Sequence, residues 1–530
     1  MRSYDALIIG GGHNGLVCAC YLAGAGLKVR VLERRHIVGG AAVTEEFLPG
    51  FRNSVASYTV SLLHPKIIQD LHLHQHGLRI LPRPLGNFLP LSDSGYLKLG
   101  GGLAATQAEF ARFSQQDAEN LPAYYAMLDE VADVLRSMLL HTPPNVGGGL
   151  YDLARGIKQA AALRKLDMPQ RRDLLDLFTI SAAELLERWF ESEPVKAAFG
   201  FDAVVGNFAS PYAAGTAYVL LHHVFGEVNG QKGQWGHAVG GMGAITQAMA
   251  AEARARGVEI SLDAEVSRVQ VEAGRVKSVV LHDGSEIMAR QVVANVNPRL
   301  LYQQLFDPAD LPAELLERIQ HYRCGSATLR MNVALSELPD FSCLPGKHLQ
   351  VHHQAGIIIA PSLDYMEQAY VDARRHSWAR EPIVEMLIPS TVDDSLAPPG
   401  QHVASLFCQH FNPQLPDGRD WHDAREQAAD TVIDTVTRYA PNFKASILGR
   451  MILSPQDLEE KFGLIGGDIF HGALSLNQLY SARPLLGYGN YRGPFKGLYL
   501  CGSGTHPGGG VTGAPGHNAA QEILRDRRRR

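Results

Sequence analysis

The stretch that decides the fold is Ala6-Leu7-Ile8-Ile9-Gly10-Gly11-Gly12-His13-Asn14-Gly15, followed by Leu16-Val17-Cys18-Ala19-Cys20-Tyr21-Leu22-Ala23 and then by Val29-Arg30-Val31-Leu32-Glu33. Four consecutive apolar residues read as a short strand buried on both faces. The run after Gly15 reads as a helix that Gly24 and Gly26 stop, and Val29–Leu32 as a second strand. The whole is a βαβ unit with Gly10-x-Gly12-x-x-Gly15 at its first turn. In a chain with 53 glycines that spacing is weak by itself. The entering strand, the leaving helix and the acidic residue ending the second strand make it specific for a dinucleotide. Gly10 permits the tight turn, Gly12 lets a pyrophosphate approach the backbone, and Gly15 lets helix and strand pack closely. The helix N-terminus offers amide donors and partial positive charge to the phosphates. Glu33 is placed to accept hydrogen bonds from a ribose diol. Its carboxylate disfavours a 2′-phosphate, although Arg34 and Arg35 pull the other way.

At 530 residues the chain is too long for one core, which predicts two domains or one discontinuous pair. A hydrophobic share of 45%, a charged share of 19% and a net charge of −5 are those of a soluble globular enzyme, with no electrostatic reason to expect nucleic acid. The six cysteines, Cys18, Cys20, Cys324, Cys343, Cys408 and Cys501, form no disulphide framework, zinc spacing or Cys-x-x-Cys pair. A reducing compartment fits best. The first strand begins close to Met1, so no signal or transit peptide is expected, and no apolar run approaches the roughly eighteen residues that cross a bilayer. The expected location is cytoplasmic, or peripheral on the inner membrane face.

From about Thr106 to Trp235 the pattern is helical, with Leu128, Val131, Val134, Leu135, Met138 and Leu139 at helical spacing. Sheet signals return after Gly257. Val266, Val269 and Val271, then Val276, Val279, Val280 and Leu281, then Val292 and Val293 read as a three-stranded meander, with an Asp283-Gly284 hairpin turn between the last two strands. The chain closes with the apolar strand Gly497–Cys501, a second glycine cluster and a final helix from about Gly516. The expected architecture is α/β: a nucleotide domain assembled from 1–95, 231–300 and 451–530, and an α+β substrate cap from 96–230 and 301–450. Only one strand–GxGxxG–helix unit is present, so no separate nicotinamide domain is visible. Gly39-Gly40 offers another close backbone pass, and the terminal glycines are placed to meet the other end of an extended cofactor. These features favour FAD over NAD.

Several motifs carry a family resemblance. They are Tyr4-Asp5-x-x-Ile8-Ile9-Gly10-Gly11-Gly12-His13-Asn14-Gly15, Glu33-Arg34-Arg35-His36-x-x-Gly39-Gly40-Ala41-Ala42 and Gly502-Ser503-Gly504-Thr505-His506-Pro507-Gly508-Gly509-Gly510. Gly463-Leu464-x-Gly466-Gly467-Asp468-Ile469-Phe470-His471 and Ser475-Leu476-x-Gln478-Leu479-Tyr480-x-Ala482-Arg483-Pro484 add to them. Together they resemble the phytoene desaturase-like carotenoid and retinoid oxidoreductases. The resemblance implies a discontinuous glutathione-reductase-type Rossmann domain for FAD, with a substrate-binding cap over the flavin. It puts Gly10, Gly12, Gly15, Glu33, Gly39 and Gly40 around the adenosine diphosphate half, with His13, Asn14, Arg34 and Ala41 in the same cofactor-binding set. It puts the Val266 backbone at the adenine, and Gly502, Gly509, Gly510, Val511 and Thr512 at the ribityl chain and flavin. Two departures stand out: Ala41 replaces an arginine that many flavin amine oxidases carry, and no redox cysteine pair supports disulphide exchange.

The chemistry so implied is hydride transfer from a substrate C–H to flavin N5. His506, the titratable side chain of the terminal motif, is a candidate base, against the plainer role of holding its loop. Asp468 and His471 are weaker candidates for the substrate cavity. His72, His74 and His76 would share one face of a strand, but their leucine neighbours favour a surface segment, and no metal is expected. Arg155, Lys158, Arg164, Lys165, Arg171 and Arg172, interleaved with Leu153, Ile157 and Leu163, suit either a solvated face or an anionic membrane. The expected function is an FAD-dependent dehydrogenase, desaturase or isomerase acting on an apolar, polyene-like small molecule. A flavin amine oxidase and an FAD-binding regulatory protein without turnover are the alternatives. A homodimer is left open as the assembly, and the resemblance adds the mitochondrial matrix as the location of eukaryotic members.

Overall fold

The strand Ala6–Ile9 is buried at every position because it has a parallel neighbour on each side: Val29–Leu32 on one and Val292–Ala294 on the other. The computed structural model describes residues 4–91, 95–346 and 348–529. Glu259–Ser261 and Leu498–Leu500 extend the sheet at its two edges, so five parallel strands from distant parts of the sequence lie side by side. Helices His13–Gly24, Gly243–Ala255 and Ala514–Arg528 pack together on one face, where Leu16, Val17, Leu22, Ile245, Met249 and Ile523 are buried. The antiparallel strands Val266–Glu272, Arg275–Leu281 and Glu286–Met288 cover the other.

This corrects the expected meander. Its third strand is Glu286–Met288, and the turn at Asp283-Gly284 leads into that strand. Val292–Ala294 crosses back into the parallel sheet beside Ala6–Ile9. Burial explains the exchange: Val292, Val293 and Ala294 are all covered, as a strand sandwiched between two layers must be, whereas Glu286–Met288 alternates.

A second sheet of seven strands runs Ile447–Leu453, Leu329–Leu335, His402–Phe411, Trp378–Leu387, Gly356–Ile359, Asn87–Pro90, Tyr96–Leu99. Its last two strands straddle residue 95; Asn87–Pro90 pairs with Gly356–Ile359 and Tyr96–Leu99 with Asn87–Pro90, so both belong to this sheet rather than to the parallel one. Helix Trp421–Tyr439 packs on one face through Trp421, Ala424, Ala428, Val432 and Val436. The helices between Leu103 and Val224 pack on the other, through Ile358, Ile383 and Phe407 of the strands. His72 precedes a helical turn, Leu73–His76, rather than lying on a strand. His72 and His76 both face Glu252, at 3.4 and 2.7 Å, while His74 turns to the Leu78 carbonyl at 2.8 Å. Among the described residues no helix is long and apolar enough to cross a membrane.

The helical layer is pinned by Asp117 in helix Gln115–Arg136. Its fully buried carboxylate accepts from the Glu191 amide at 2.8 Å, the Ser192 amide at 3.0 Å and the Ser192 hydroxyl. Truncation takes the acceptor from two part-buried amides and a hydroxyl. Asp117→Ala is expected to lower unfolding stability by about 2–3 kcal/mol in a denaturant titration; an unchanged midpoint would show that the helical layer does not depend on this cap.

Candidate functional site

The C-terminal ends of the parallel strands open onto a cleft of about 360 Å³, where sheets of this kind place their ligands. The glycine turn forms its floor. Gly10 has φ +95°, and a Cβ there would lie 2.8 Å from the Asn295 carbonyl oxygen. At Gly15 a Cβ would lie 2.3 Å from the Gly10 carbonyl oxygen, so a side chain would force helix and strand apart. The Gly39 amide donates to Gly11 O at 2.9 Å, which lays Gly39-Gly40-Ala41 alongside the turn. Glu33, 5% exposed at the end of Val29–Leu32, accepts from the Gly11 amide at 2.7 Å and the Arg35 amide at 2.9 Å. Gly10, Gly12, His13, Glu33, Arg34, Gly39, Gly40, Ala41 and Val266 all line the cleft.

The residues present fit an extended dinucleotide. Among the described residues, His13 Nε2 and Asn14 Oδ1 are buried without a partner, and buried polar atoms are seldom left so. Burial, then neighbouring His471, pulls the His13 imidazole down to about 3, and burial, then Arg483, brings His471 to about 4. Both rings are therefore neutral at pH 7, and the amides at the start of helix His13–Gly24 are left as donors to an anion. Arg34 donates to the Glu460 carbonyl at 3.0 Å, and Arg35 pairs with Glu45. Each guanidinium thus has a partner within the chain, which weakens the objection to a ribose diol at Glu33.

A family model described as flavin containing amine oxidoreductase matches residues 15–329. The chain belongs to this family. It is 42% identical to pyridine nucleotide-disulfide oxidoreductase domain-containing protein 2 of Rattus norvegicus, over 99% of this chain and 94% of that one. It is 24% identical to the phytoene desaturase (lycopene-forming) of Pantoea ananas, over 96% of each. Among solved structures, cyclohexylamine oxidase from Brevibacterium oxydans superposes with a TM-score of 0.59 at 18% identity, covering 99% of this chain and 100% of its own. The cofactor of this flavin amine oxidoreductase family member is FAD, and the chain is an FAD-dependent oxidoreductase.

At its C-terminal loop the family member reaches the cleft through Ser503. Gly502 packs on Asn295, which a Cβ would meet at 3.3 Å. The next residue, Ser503, lines the cleft and accepts from Asn14 Nδ2 at 3.1 Å, tying the first helical turn to the last strand. Gly509, Gly510, Val511 and Thr512 are not among the cleft-lining residues: Gly509 sits against Phe470, Gly510 against Leu62, Val511 is left-handed at φ +58°, and the Thr512 carbonyl accepts from the His64 amide at 3.1 Å. His506 has the contact that the plainer, loop-holding role requires. Its Nε2 donates to the Met138 carbonyl at 3.2 Å, burial lowers it to about 4, and it lies off the cleft, so it holds the loop. Asp468 is likewise structural, accepting from the Phe470 and Gly472 amides at 2.9 and 2.8 Å, while His471 does line the cleft.

Two residues of consequence escaped sequence reasoning. Asn295, just past Val292–Ala294, donates from Nδ2 to Gly10 O at 3.1 Å and so fixes the glycine turn from the neighbouring strand. Its position at a strand's C-terminal end was the available signal. Arg483 is wholly buried and donates to the carbonyls of Phe470, Gly472, Gln478 and Ser503 at 2.6–3.2 Å, clamping the loop that carries Ser503.

Gly15→Ala tests the close helix–strand contact. Overpacking of this kind costs about 1–3 kcal/mol, so the variant is expected to melt several degrees lower and to purify with little flavin absorbance. Full flavin content with an unaltered melting temperature would contradict the geometry.

Proposed function

We propose that the chain dehydrogenates a small molecule with a largely apolar body, using FAD bound at the glycine turn and a substrate space between the helical layer and the seven-stranded sheet. One contact carries this reading. Ala41 lines the cofactor cleft, and its carbonyl accepts from the Ser57 amide at 2.9 Å. The next residue, Tyr58, packs against the helical layer's apolar cluster and meets Phe407 of the sheet with ring centroids 4.8 Å apart. The chain that borders the cleft at Ala41 is thus hydrogen-bonded to the segment that enters the seam between cap layers. When bound, FAD supplies the hydride acceptor. The chain's part is to hold it through Glu33 and the glycines, to exclude water through the packed helices, and to present the substrate beside Ala41. The relative named for phytoene supports the apolar body.

The family's description favours an amine as the second reading. Tyr58 and Phe407 would then have to hold the substrate's cation between their rings. The Arg330 guanidinium already occupies that place, 4.8 Å from the Tyr58 centroid and 5.6 Å from that of Phe407, which speaks against it.

Anaerobic incubation with a panel of polyenes and of primary amines tests the choice. Bleaching of the flavin band by unsaturated, apolar-bodied compounds is expected. Bleaching by amines alone would reverse the order of the readings, and bleaching by neither would favour a binding or regulatory role.

An anionic membrane is the proposed site of substrate capture. Helix Leu150–Leu163 turns Leu150, Leu153 and Ile157 outward at 85%, 61% and 64% exposure, a helical i, i+3, i+7 stripe facing solvent. Lys158, Arg164, Lys165, Arg171 and Arg172 flank it. Arg155 does not, because it pairs with Glu522 at 2.9 Å. The protein is expected to sediment with phosphatidylglycerol vesicles and to lose that binding in Leu153→Glu/Ile157→Glu. Binding that survives the double substitution would place the contact elsewhere.

A further inference from the structure

Behind the Ala41–Ser57 contact stands a set of ionisable groups for which an apolar substrate has no use. Tyr58 donates its hydroxyl proton to Glu385, which is buried on strand Trp378–Leu387. Arg83 follows strand Ile80–Pro82, and the Arg83 amide donates to the Trp235 carbonyl at 3.0 Å. Its guanidinium then lies 5.7 Å from the Trp235 ring centroid. Glu385 and Arg83 reach toward one point: a Cβ built on Gly356 would meet Glu385 Oε1 at 3.2 Å and Arg83 Nη1 at 3.3 Å. His223 stacks on the far side of Trp235 at 6.2 Å, and Asp202, on helix Glu193–Val204, is close enough to Glu385 to feel its charge.

These groups are hemmed in by protein. Burial pushes Asp202 up to about 8, drives the Tyr58 phenol well above its ordinary range and lowers Arg83. Yet Tyr58, Arg83, Asp202 and Trp235 each keep part of their surface uncovered. They are enclosed by protein without being packed flush against it. Among the described residues, Arg330 Nε, Gln409 Nε2 and both ring nitrogens of His222 are buried without a hydrogen-bond partner. Buried polar atoms of this kind call for a ligand or ordered water.

The charges do not balance. At pH 7 Asp202 is protonated, and burial holds His222 and His223 neutral, at about 3 and about 4. Arg330, lowered to about 10, and Arg83 stay cationic. Glu385 alone can be negative, and burial opposes even that. Arg330 is committed within the chain, donating to Leu406 O at 3.0 Å and Ser405 Oγ at 2.8 Å. Arg83 makes one side-chain hydrogen bond among the described residues, from Nη2 to Thr59 Oγ1. An excess of buried positive charge is costly, and a group kept in that state at a ligand site is a functional candidate.

We propose that the substrate carries a carboxylate, which seats on the Arg83 guanidinium between Tyr58, Trp235 and Asp202. The Asp202 carboxyl donates a hydrogen bond to the same anion, and the apolar remainder of the substrate extends along the helical layer. Glu385 is held back from the anion by Tyr58. This rests on the reading that substrate meets FAD beside Ala41, and it narrows the substrate from an apolar molecule to an amphiphilic acid.

Titration of the FAD-loaded protein decides it, with hexanoate and benzoate set against hexylamine and benzylamine. The flavin band follows ligands next to the ring, and calorimetry follows those further away. Saturable binding of the acids and not of the amines is expected. Arg83→Gln should weaken it at least about tenfold, equivalent to about 1.4 kcal/mol, and Arg83→Lys should restore part of it. Glu385→Gln, which removes the competing negative charge, should tighten it. Preference for the amines, acid binding that ignores Arg83→Gln, or weaker binding in Glu385→Gln would overturn the inference. Should Arg83→Gln fail to fold, the wild-type selectivity and the sign of the Glu385→Gln effect still decide. A protein that takes up no FAD overturns the function proposed above, whereas a loaded protein indifferent to acids overturns this inference alone.

Discussion

Everything at the cofactor end depends on how closely helix His13–Gly24 approaches the strands it follows. Three hydrogen atoms in place of side chains, at Gly10, Gly12 and Gly15, allow that approach. Without them the Gly10 carbonyl and the Asn295 side chain would be in steric collision with the helix. Because the approach is so close, the helix N-terminus sits over the ends of the parallel strands, with Glu33 on one side and Ser503 on the other. The far strands then follow from it. Asn295 bonds to Gly10, and Asn14 to Ser503, so strands from the middle and the end of the chain are drawn to the first turn.

The part of this that is local was legible from sequence. A wholly apolar run, a glycine turn and an acidic strand end occupy consecutive positions, and each has one physical explanation. The FAD assignment followed because no second turn of that kind exists to serve a nicotinamide. What is non-local was not legible. Val292 and Val293 read equally well as a meander edge and as a central parallel strand, because both are short and β-branched. Only the burial that neighbours impose separates them. Arg483 looks like any surface arginine until its four carbonyl acceptors come together. His506 looked catalytic for its place in a glycine-rich motif, while its ring nitrogen is taken up by Met138 from the helical layer.

The substrate side shows the same limit more sharply. Tyr58, Arg83, Asp202, Trp235, Arg330 and Glu385 come from six separate segments, so no spacing or periodicity could have joined them. An apolar ligand was the expectation from the resemblance. The fold instead sets a buried and a half-buried guanidinium group near one buried carboxylate. That arrangement suits a molecule with an acidic head and an apolar body, and it leaves the amine reading without an open cation site, since Arg330 already covers Tyr58.

The central claim is that one cleft at the glycine turn holds FAD. Unfolding the purified protein and identifying the released cofactor by chromatography and mass tests it most directly. One FAD per chain is the expected result. Release of a nicotinamide dinucleotide in its place, or of no flavin after reconstitution with FAD, would contradict it.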